Sequence, residues 1–112
     1  IDDMISSGES MLDVARQIKE RGAKRVFVCV TFGLFTDGLK KFDEYYEKGY
    51  ISHVITTNLI YQSPELLSRP YYTEANMTKF LAAIIDCINH DVSTGHVNDP
   101  TERIQRVLEH MK

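Results

Sequence analysis

Ile1-Asp2-Asp3-Met4-Ile5-Ser6-Ser7-Gly8-Glu9-Ser10 opens the chain, and this stretch decides how the fold is interpreted. Two adjacent acids precede a turn of small, hydroxyl-bearing residues, and an amphipathic pattern begins directly after that turn. Unpaired amides and the helix dipole make the amino end of a helix favourable for a phosphate. Nearby carboxylates can accept hydrogen bonds from sugar hydroxyls or hold a hydrated divalent cation. We therefore predict a sugar-phosphate site formed by Asp2, Asp3, Ser6, Ser7, Gly8, Glu9 and Ser10.

The two acids also indicate where the chain enters its sheet. In a parallel sheet, acids at a strand's carboxyl end normally follow four or five β-branched residues. Only Ile1 precedes Asp2 and Asp3 here. We therefore expect the chain to be part of a longer polypeptide, truncated at its N-terminal strand, so that it exposes a sheet edge or borrows a strand from another copy.

Beyond the turn, helical and strand patterns alternate along the chain. Apolar residues recur every three or four positions in the predicted helices, and runs rich in β-branched residues mark the strands. The predicted elements are helix 10–21, strand 25–31, helix 39–48, strand 53–57, short strand 71–73, helix 77–88 and helix 99–112. Residues 31–38 and 59–70 are expected to be irregular. This order predicts a three-layer, Rossmann-like α/β fold with a mainly parallel sheet.

The last third of the chain is predicted to be helical around a polar connection. The expected buried stripe of the first helix is Met77, Phe80, Leu81, Ile84, Ile85 and Ile88. Residues 91–98 are polar and unpatterned, and we expect them to be a linker within a single domain that spans residues 1–112. Asp99, Pro100 and Glu102 form a strong start signal for the last helix.

Polar side chains should gather at the carboxyl edge of the sheet. Ligands of open α/β sheets bind at this edge. The edge would bring the two acids and the turn close to a possible substrate loop, Thr31, Phe32 and Gly33, and to residues 56–58. The alternative for Thr31 to Gly33 is a simple strand exit, and the alternative for Glu9 is a first-turn acid that the helix dipole favours.

The segment that starts at Asp2 resembles the ribose-5-phosphate loop of ribose-phosphate pyrophosphokinases, also called phosphoribosyl pyrophosphate synthetases. It is similar, more loosely, to the pyrophosphate-sugar motif of type I phosphoribosyltransferases, in which two acids precede Asp-Thr-Gly-Gly-Thr. The likeness continues through Ala15, Lys19, residues 21–27 and residues 31–35.

The chain departs from the pyrophosphokinase pattern at several of these positions. Ser6 stands where the family usually has an acid, and Glu9 replaces its second glycine. Phe32 stands where many members have histidine, whereas the serines that replace threonines at positions 7 and 10 keep the hydroxyl groups.

The resemblance implies a type I phosphoribosyltransferase-like domain from the C-terminal part of such an enzyme. Members transfer pyrophosphate from ATP to ribose 5-phosphate with Mg²⁺, giving phosphoribosyl pyrophosphate and AMP for nucleotide biosynthesis. Asp2 and Asp3 would hold the ribose diol and, through water, the metal. Catalytic residues and the nucleotide pocket are expected upstream, so the piece alone is expected to be inactive. A cytoplasmic homo-oligomer is also implied.

Three other interpretations compete with this one. The departures at Ser6 and Glu9 favour a non-catalytic regulatory or assembly subunit with the same fold. A phosphoribosyltransferase would share the acids and the turn, although the likeness in residues 21–35 and the last two helices argue against it. A signalling receiver domain is rejected, since it needs an aspartate at the end of a later strand, where Thr31 and Asn58 stand.

Composition excludes several functional classes. The 112 residues carry a net charge of −3, which is not basic enough to suggest a nucleic-acid polymer as partner. No apolar run approaches the ~20 residues of a membrane span. The two cysteines, Cys29 and Cys87, fall within a predicted strand and a predicted helix, so we expect free thiols rather than a disulfide.

Overall fold

The computed structural model describes residues 1–111 and consists of four strands and six helices within that range. They are β1 (Asp2–Ile5), α1 (Glu9–Glu20), β2 (Phe27–Gly33), α2 (Lys40–Glu47), β3 (His53–Thr57), α3 (Pro64–Leu67), β4 (Tyr72–Ala75), α4 (Thr78–Asn89), α5 (Gly95–Asn98) and α6 (Thr101–His110). The chain divides into two units, Ile1–Asn76 and a second that begins at Met77. None of the described helices is both long enough and apolar enough to span a membrane.

The first unit is built on a parallel sheet in the order β1-β2-β3-β4. The α/β fold with a mainly parallel sheet is therefore confirmed. Buried and more exposed residues alternate along β2 and β3, and Val28, Val30 and Val54 are among the buried ones. Leu12 of α1 and Phe42 of α2 belong to the same core, so these helices pack on the valine face.

The position of the two acids relative to the first strand was predicted incorrectly. Asp2 and Asp3 begin β1 rather than follow its carboxyl end, and β1 pairs with β2 in the register Asp2↔Val30 and Ile5↔Gly33. Aspartate has a low strand propensity, but pairing with a neighbouring strand overrides a weak local preference. The carboxyl end of β1 is therefore Ile5, and the small-residue turn follows it directly.

The second strand begins and ends two residues later than predicted, at Phe27 and Gly33. Thr31, Phe32 and Gly33 belong to β2 and not to a loop, because β1 continues beside them as a pairing partner. The segment after β2 then bonds back to the turn. The amide of Leu34 donates to the carbonyl of Ile5 at 2.8 Å, and the amide of Thr36 donates to the carbonyl of Ser6 at 3.0 Å.

Residues 59–70, predicted to be irregular, contain the short helix α3. Ser63 caps this helix by accepting a hydrogen bond from the amide of Leu66 at 3.1 Å, and Pro64 occupies its first turn. A serine followed by proline is a helix-start signal that could have been recognised in the sequence. β4 then covers Tyr72–Ala75, slightly later than predicted.

In the second unit, the prediction that residues 77–88 are helical is confirmed, but the predicted buried stripe is partly wrong. Leu81, Ile85 and Ile88 of α4 are 43%, 66% and 66% exposed, whereas Cys87 is only 6% exposed. The periodicity fixes the width of an apolar sector but not which side of it a neighbouring helix covers. Residues 91–98, predicted to be a linker, include α5, and the amide of Thr101 donates to Asp99 at 2.9 Å. The single-domain organisation stays a prediction.

Candidate functional site

A cleft of about 340 Å³ lies where β1 leads into α1. It is lined by Ile1, Asp2, Met4, Ile5, Ser6, Ser7, Gly8, Ser10, Met11 and Val14. The cleft thus brings together five of the seven residues that the sequence predicted for a sugar-phosphate site. The two that do not line it are Asp3 and Glu9.

The turn between β1 and α1 presents backbone amides at the positive end of a twelve-residue helix. Gly8 is the N-cap residue and has a left-handed backbone with φ 86°. It has no side chain with which to cap the first turn, and the amide of Glu9 has only a long contact, 3.5 Å, to Ser7 Oγ. The local geometry therefore leaves this helix end suited to an anion.

Gly8 is also required by packing. A Cβ built at this position would lie 2.4 Å from Phe42 Cζ, a separation that real structures do not show. Phe42 is completely buried and contacts Phe35 in an edge-to-face arrangement with ring centroids 5.1 Å apart. Phe42 of α2 therefore packs directly against the turn, and only glycine at position 8 permits this close approach.

Glu9 is turned towards α2 and not into the cleft. Its carboxylate accepts a hydrogen bond from the ammonium of Lys41, with which it forms an ion pair. The hydrogen bond and charge of Lys41 lower the pKa of Glu9, and those of Glu9 raise the pKa of Lys41. Glu9 therefore stays ionised near neutral pH, with its charge partly compensated.

The two acids are separated by the pleat of the strand. Successive side chains of a β-strand point to opposite faces, and of the two acids only Asp2 lines the cleft. The Asp2 carboxylate accepts a hydrogen bond from the amide of Asp3 at 2.8 Å, which helps to hold it in place. Asp2 is consequently the acid best placed to meet a ligand whose anionic group sits at the turn.

The possible substrate loop does not join the turn cleft. Thr31 lines a second groove of about 210 Å³ along the sheet, together with Ile55 and Thr57, and Asp2 borders both cavities. The Thr31 carbonyl accepts a hydrogen bond from Thr57 Oγ1 at 2.6 Å.

The other two residues of that predicted loop have different surroundings. Phe32 pairs with Met4 in the sheet. A Cβ at Gly33 would lie 2.6 Å from Phe35 and 2.8 Å from Thr56, so this glycine is explained by packing.

The sequence prediction missed the apolar wall of the cleft. Met4 lies on the strand, and Met11 and Val14 lie on the first two turns of α1, where they flank the amides. Their helical spacing identified them only as apolar residues of α1. The pattern did not indicate that they extend beyond the core to border a site.

A divalent metal would find few protein ligands here. Among residues 1–111 no group of three or more His, Cys, Asp or Glu side chains could hold a metal ion. Mg²⁺ commonly binds through one or two carboxylates, with water and phosphate oxygens completing its shell. Asp2 could therefore supply one carboxylate to a Mg²⁺ ion whose other ligands are water and phosphate oxygens. The described residues do not offer enough ligands to bind the ion by themselves.

Known proteins are similar to this chain over most of its length. Residues 1–98 match the family model described as the phosphoribosyl synthetase-associated domain. The chain is similar to the ribose-phosphate pyrophosphokinase of Vibrio cholerae, at 32% identity over 93 residues, which are 83% of this chain and 29% of that protein. It is also similar to human phosphoribosyl pyrophosphate synthase-associated protein 2, at 30% identity over 98 residues, which are 87% of this chain and 26% of that protein.

A solved structure supports the fold. Phosphoribosylpyrophosphate synthetase from Mycobacterium smegmatis superposes with a TM-score of 0.69 and 24% identity over 80% of this chain and 29% of that one. The chain thus spans less than a third of the length of these relatives. Because the family model covers residues 1–98, well over half of the sequence, the chain belongs to the phosphoribosyl synthetase-associated domain family, and the resemblance to ribose-phosphate pyrophosphokinases is confirmed at the level of the family.

Proposed function

We propose that this chain is the ribose-5-phosphate-binding part of a ribose-phosphate pyrophosphokinase. One observation carries the proposal: Asp2 and the turn of Ser6, Ser7, Gly8 and Ser10 line a single cleft at the amino end of α1. A carboxylate on one side and helix amides on the other match a ligand with hydroxyl groups at one end and a phosphate at the other.

Each group then has a distinct task. The α1 amides and the serine hydroxyls bind the 5-phosphate, and Asp2 accepts hydrogen bonds from the ribose hydroxyls. Asp3 lies on the opposite face of the strand and does not line the cleft, so it contributes less to binding than Asp2. Thr31 lines the sheet groove that Asp2 also borders, and the sugar's reacting end would extend into this groove.

The reaction of the whole enzyme would join this acceptor half to a donor half. In it, the 1-hydroxyl oxygen of ribose 5-phosphate bonds to the β-phosphorus of ATP as the α–β bridge breaks, and AMP leaves. Catalysis of phosphoryl-type transfer depends mainly on positioning and charge neutralisation, and Mg²⁺ with ATP would supply part of the latter. We also propose that the parent enzyme is a cytoplasmic homo-oligomer, as the resemblance to ribose-phosphate pyrophosphokinases implies.

The test is calorimetric titration with ribose 5-phosphate, comparing Asp2→Asn with Asp3→Asn. The two substitutions remove the same charge from neighbouring residues, but only Asp2 lines the cleft. We expect Asp2→Asn to weaken binding by about tenfold, the effect of losing one or two charge-assisted hydrogen bonds, and Asp3→Asn to weaken it by less than about threefold. Equal losses, or no binding by the unmodified chain, would contradict the proposal.

A second candidate is a non-catalytic, associated subunit. It is favoured by Ser6 and Glu9, which depart from the pyrophosphokinase loop, and by the human relative, whose name describes a synthase-associated protein. Calorimetry separates the two, since a subunit that serves only in assembly should show no saturable binding of ribose 5-phosphate. In either case the chain alone, mixed with ATP, Mg²⁺ and ribose 5-phosphate, should release no AMP.

A further inference from the structure

Glu9 stands where an acid should hinder the proposed ligand. It is the first residue of α1, so its carboxylate belongs to the turn whose amides would bind a phosphate. A carboxylate at this place is itself attracted by the helix dipole and can compete with an anion for the same amides. It would also repel a phosphate directly, because like charges a few ångströms apart oppose each other even in water.

An ion pair directs the Glu9 carboxylate away from the amides of the turn. The ammonium of Lys41, in the first turn of α2, pairs with the Glu9 carboxylate across the surface between the two helices. Both side chains remain about half exposed or more, at 51% for Lys41 and 65% for Glu9. In this arrangement Glu9 does not line the cleft, although its neighbours Gly8 and Ser10 do.

We propose that Lys41 is a positioning residue that acts through Glu9, holding the carboxylate against α2 so that the amides of α1 stay open to the phosphate. The inference rests on the proposed function, since it concerns binding at the same cleft. Lys41 itself does not line the cleft and would not contact the ligand. Its contribution is to remove an obstacle that the sequence places at the mouth of the site.

Adjacent residues provide a matched control. Lys40 carries the same charge, is also exposed and directly precedes Lys41, but its side chain makes no hydrogen bond or ion pair among the described residues. Lys40→Met therefore changes the net charge and the general potential as Lys41→Met does, and it leaves the Glu9 contact intact. A difference between the two variants isolates the pair from the background charge.

The experiment is a double-mutant cycle on ribose 5-phosphate affinity, measured by calorimetry at low ionic strength. We expect Lys41→Met to weaken binding about fivefold and Lys40→Met to weaken it by less than twofold. Glu9→Gln should bind as well as the unmodified chain or up to about threefold better. The double variant Glu9→Gln/Lys41→Met should return to within twofold of Glu9→Gln, since the lysine has nothing left to hold. The change in affinity that each of the four variants causes should be smaller at 0.5 M salt, because salt screens the interactions between exposed charges.

Two outcomes overturn the role of Lys41 while leaving the proposed function intact. One is a double variant as weak as Lys41→Met, which would show that the lysine acts on the ligand directly. The other is equal weakening by Lys40→Met. A ligand-free readout, an NMR titration of the Glu9 carboxyl, should show its pKa rising in Lys41→Met, and an unchanged pKa overturns the inference without reference to the ligand. Failure of every variant, including the unmodified chain, to bind ribose 5-phosphate instead overturns the proposed function, and this inference with it.

Discussion

The most constrained residue of the candidate site is Gly8, for two independent reasons. Its φ of 86° disfavours any side chain, and a Cβ would collide with Phe42. Gly22 has a similar φ of 98°, but a Cβ there would meet nothing within 4 Å. The two glycines therefore separate the conformational cost of a side chain from its packing cost.

We expect Gly8→Ala to destabilise the chain clearly more than Gly22→Ala. Left-handed backbone costs alanine about 1–2 kcal/mol at either position. Overpacking against Phe42 adds about 1–3 kcal/mol at Gly8 alone. Urea unfolding followed by circular dichroism measures both changes in the free energy of unfolding. Equal changes would show that Phe42 moves aside freely and does not fix the turn.

At the scale of the elements, an ion cluster ties α2 to the start of β4. Arg69 donates two hydrogen bonds to the Asp43 carboxylate at 2.9 and 3.0 Å, and Tyr71 donates one at 2.7 Å. Burial alone would raise the pKa of Asp43, but the hydrogen bonds from Arg69 and Tyr71 and the charge of Arg69 outweigh burial and lower it. Burial, followed by contact with Asp43, raises the pKa of Tyr71.

The lowered pKa of Asp43 predicts the direction of a pH effect on stability. A carboxyl whose pKa is lower in the folded state contributes stability above its ordinary value of 3.8, and this contribution is lost as the pH falls through the folded value. Asp43→Asn should therefore cost about 1–3 kcal/mol at pH 7, and the gap to the unmodified chain should narrow between pH 4 and pH 2. The measurement is urea unfolding across that pH range.

Glu44→Gln serves as the control for this cluster. Glu44 is the next residue on α2, is exposed, and has no ion pair among the residues that the structure describes. Its substitution should change the free energy of unfolding by less than about 0.5 kcal/mol at every pH. A gap for Asp43→Asn that stays constant down to pH 2 would mean that the carboxylate charge does not stabilise the fold.

Helix α4 offers a comparison of two identical side chains. Ile84 is partly buried, whereas its neighbour Ile85 is 66% exposed. Ile84→Ala should cost about 1–2 kcal/mol through lost packing, and Ile85→Ala should stay within about 0.5 kcal/mol. Thermal unfolding of the two variants tests which side of the apolar sector is covered, and similar losses at both positions would contradict the burial seen here.

How far the sequence predicts this molecule depends on whether a feature is local. The turn after β1 could be predicted, because small residues before an amphipathic pattern mark the start of a helix through local chemistry alone. That Asp2 and Asp3 begin a strand could not, since their strand conformation depends on pairing with β2. The Glu9–Lys41 contact could not be predicted from the sequence either, because it joins positions far apart in the chain.

At the scale of the whole molecule, the order of the sheet predicts how its strands resist opening. β2 and β3 each pair on both sides, whereas β1 and β4 lie at the edges and pair on one side. An edge strand leaves half of its backbone amides without a ladder partner, and its remaining bonds open without disturbing the rest of the sheet.

Native-state hydrogen exchange should therefore rank the strands of the first unit. The amides of β2 and β3 that flank the fully buried Val54 should exchange only on global unfolding, so their opening free energy should equal that from urea unfolding. Amides of β1 should open at a free energy at least about 1–2 kcal/mol lower. Ribose 5-phosphate should raise the protection of β1 and of the first turn of α1, because the proposed ligand contacts them. It should raise the protection of β2 and β3 only by the amount that binding adds to the global free energy of unfolding. Protection of β1 equal to that of β3 before ligand is added would mean that the edge carrying Asp2 is already held, and that the site needs no ligand to order it.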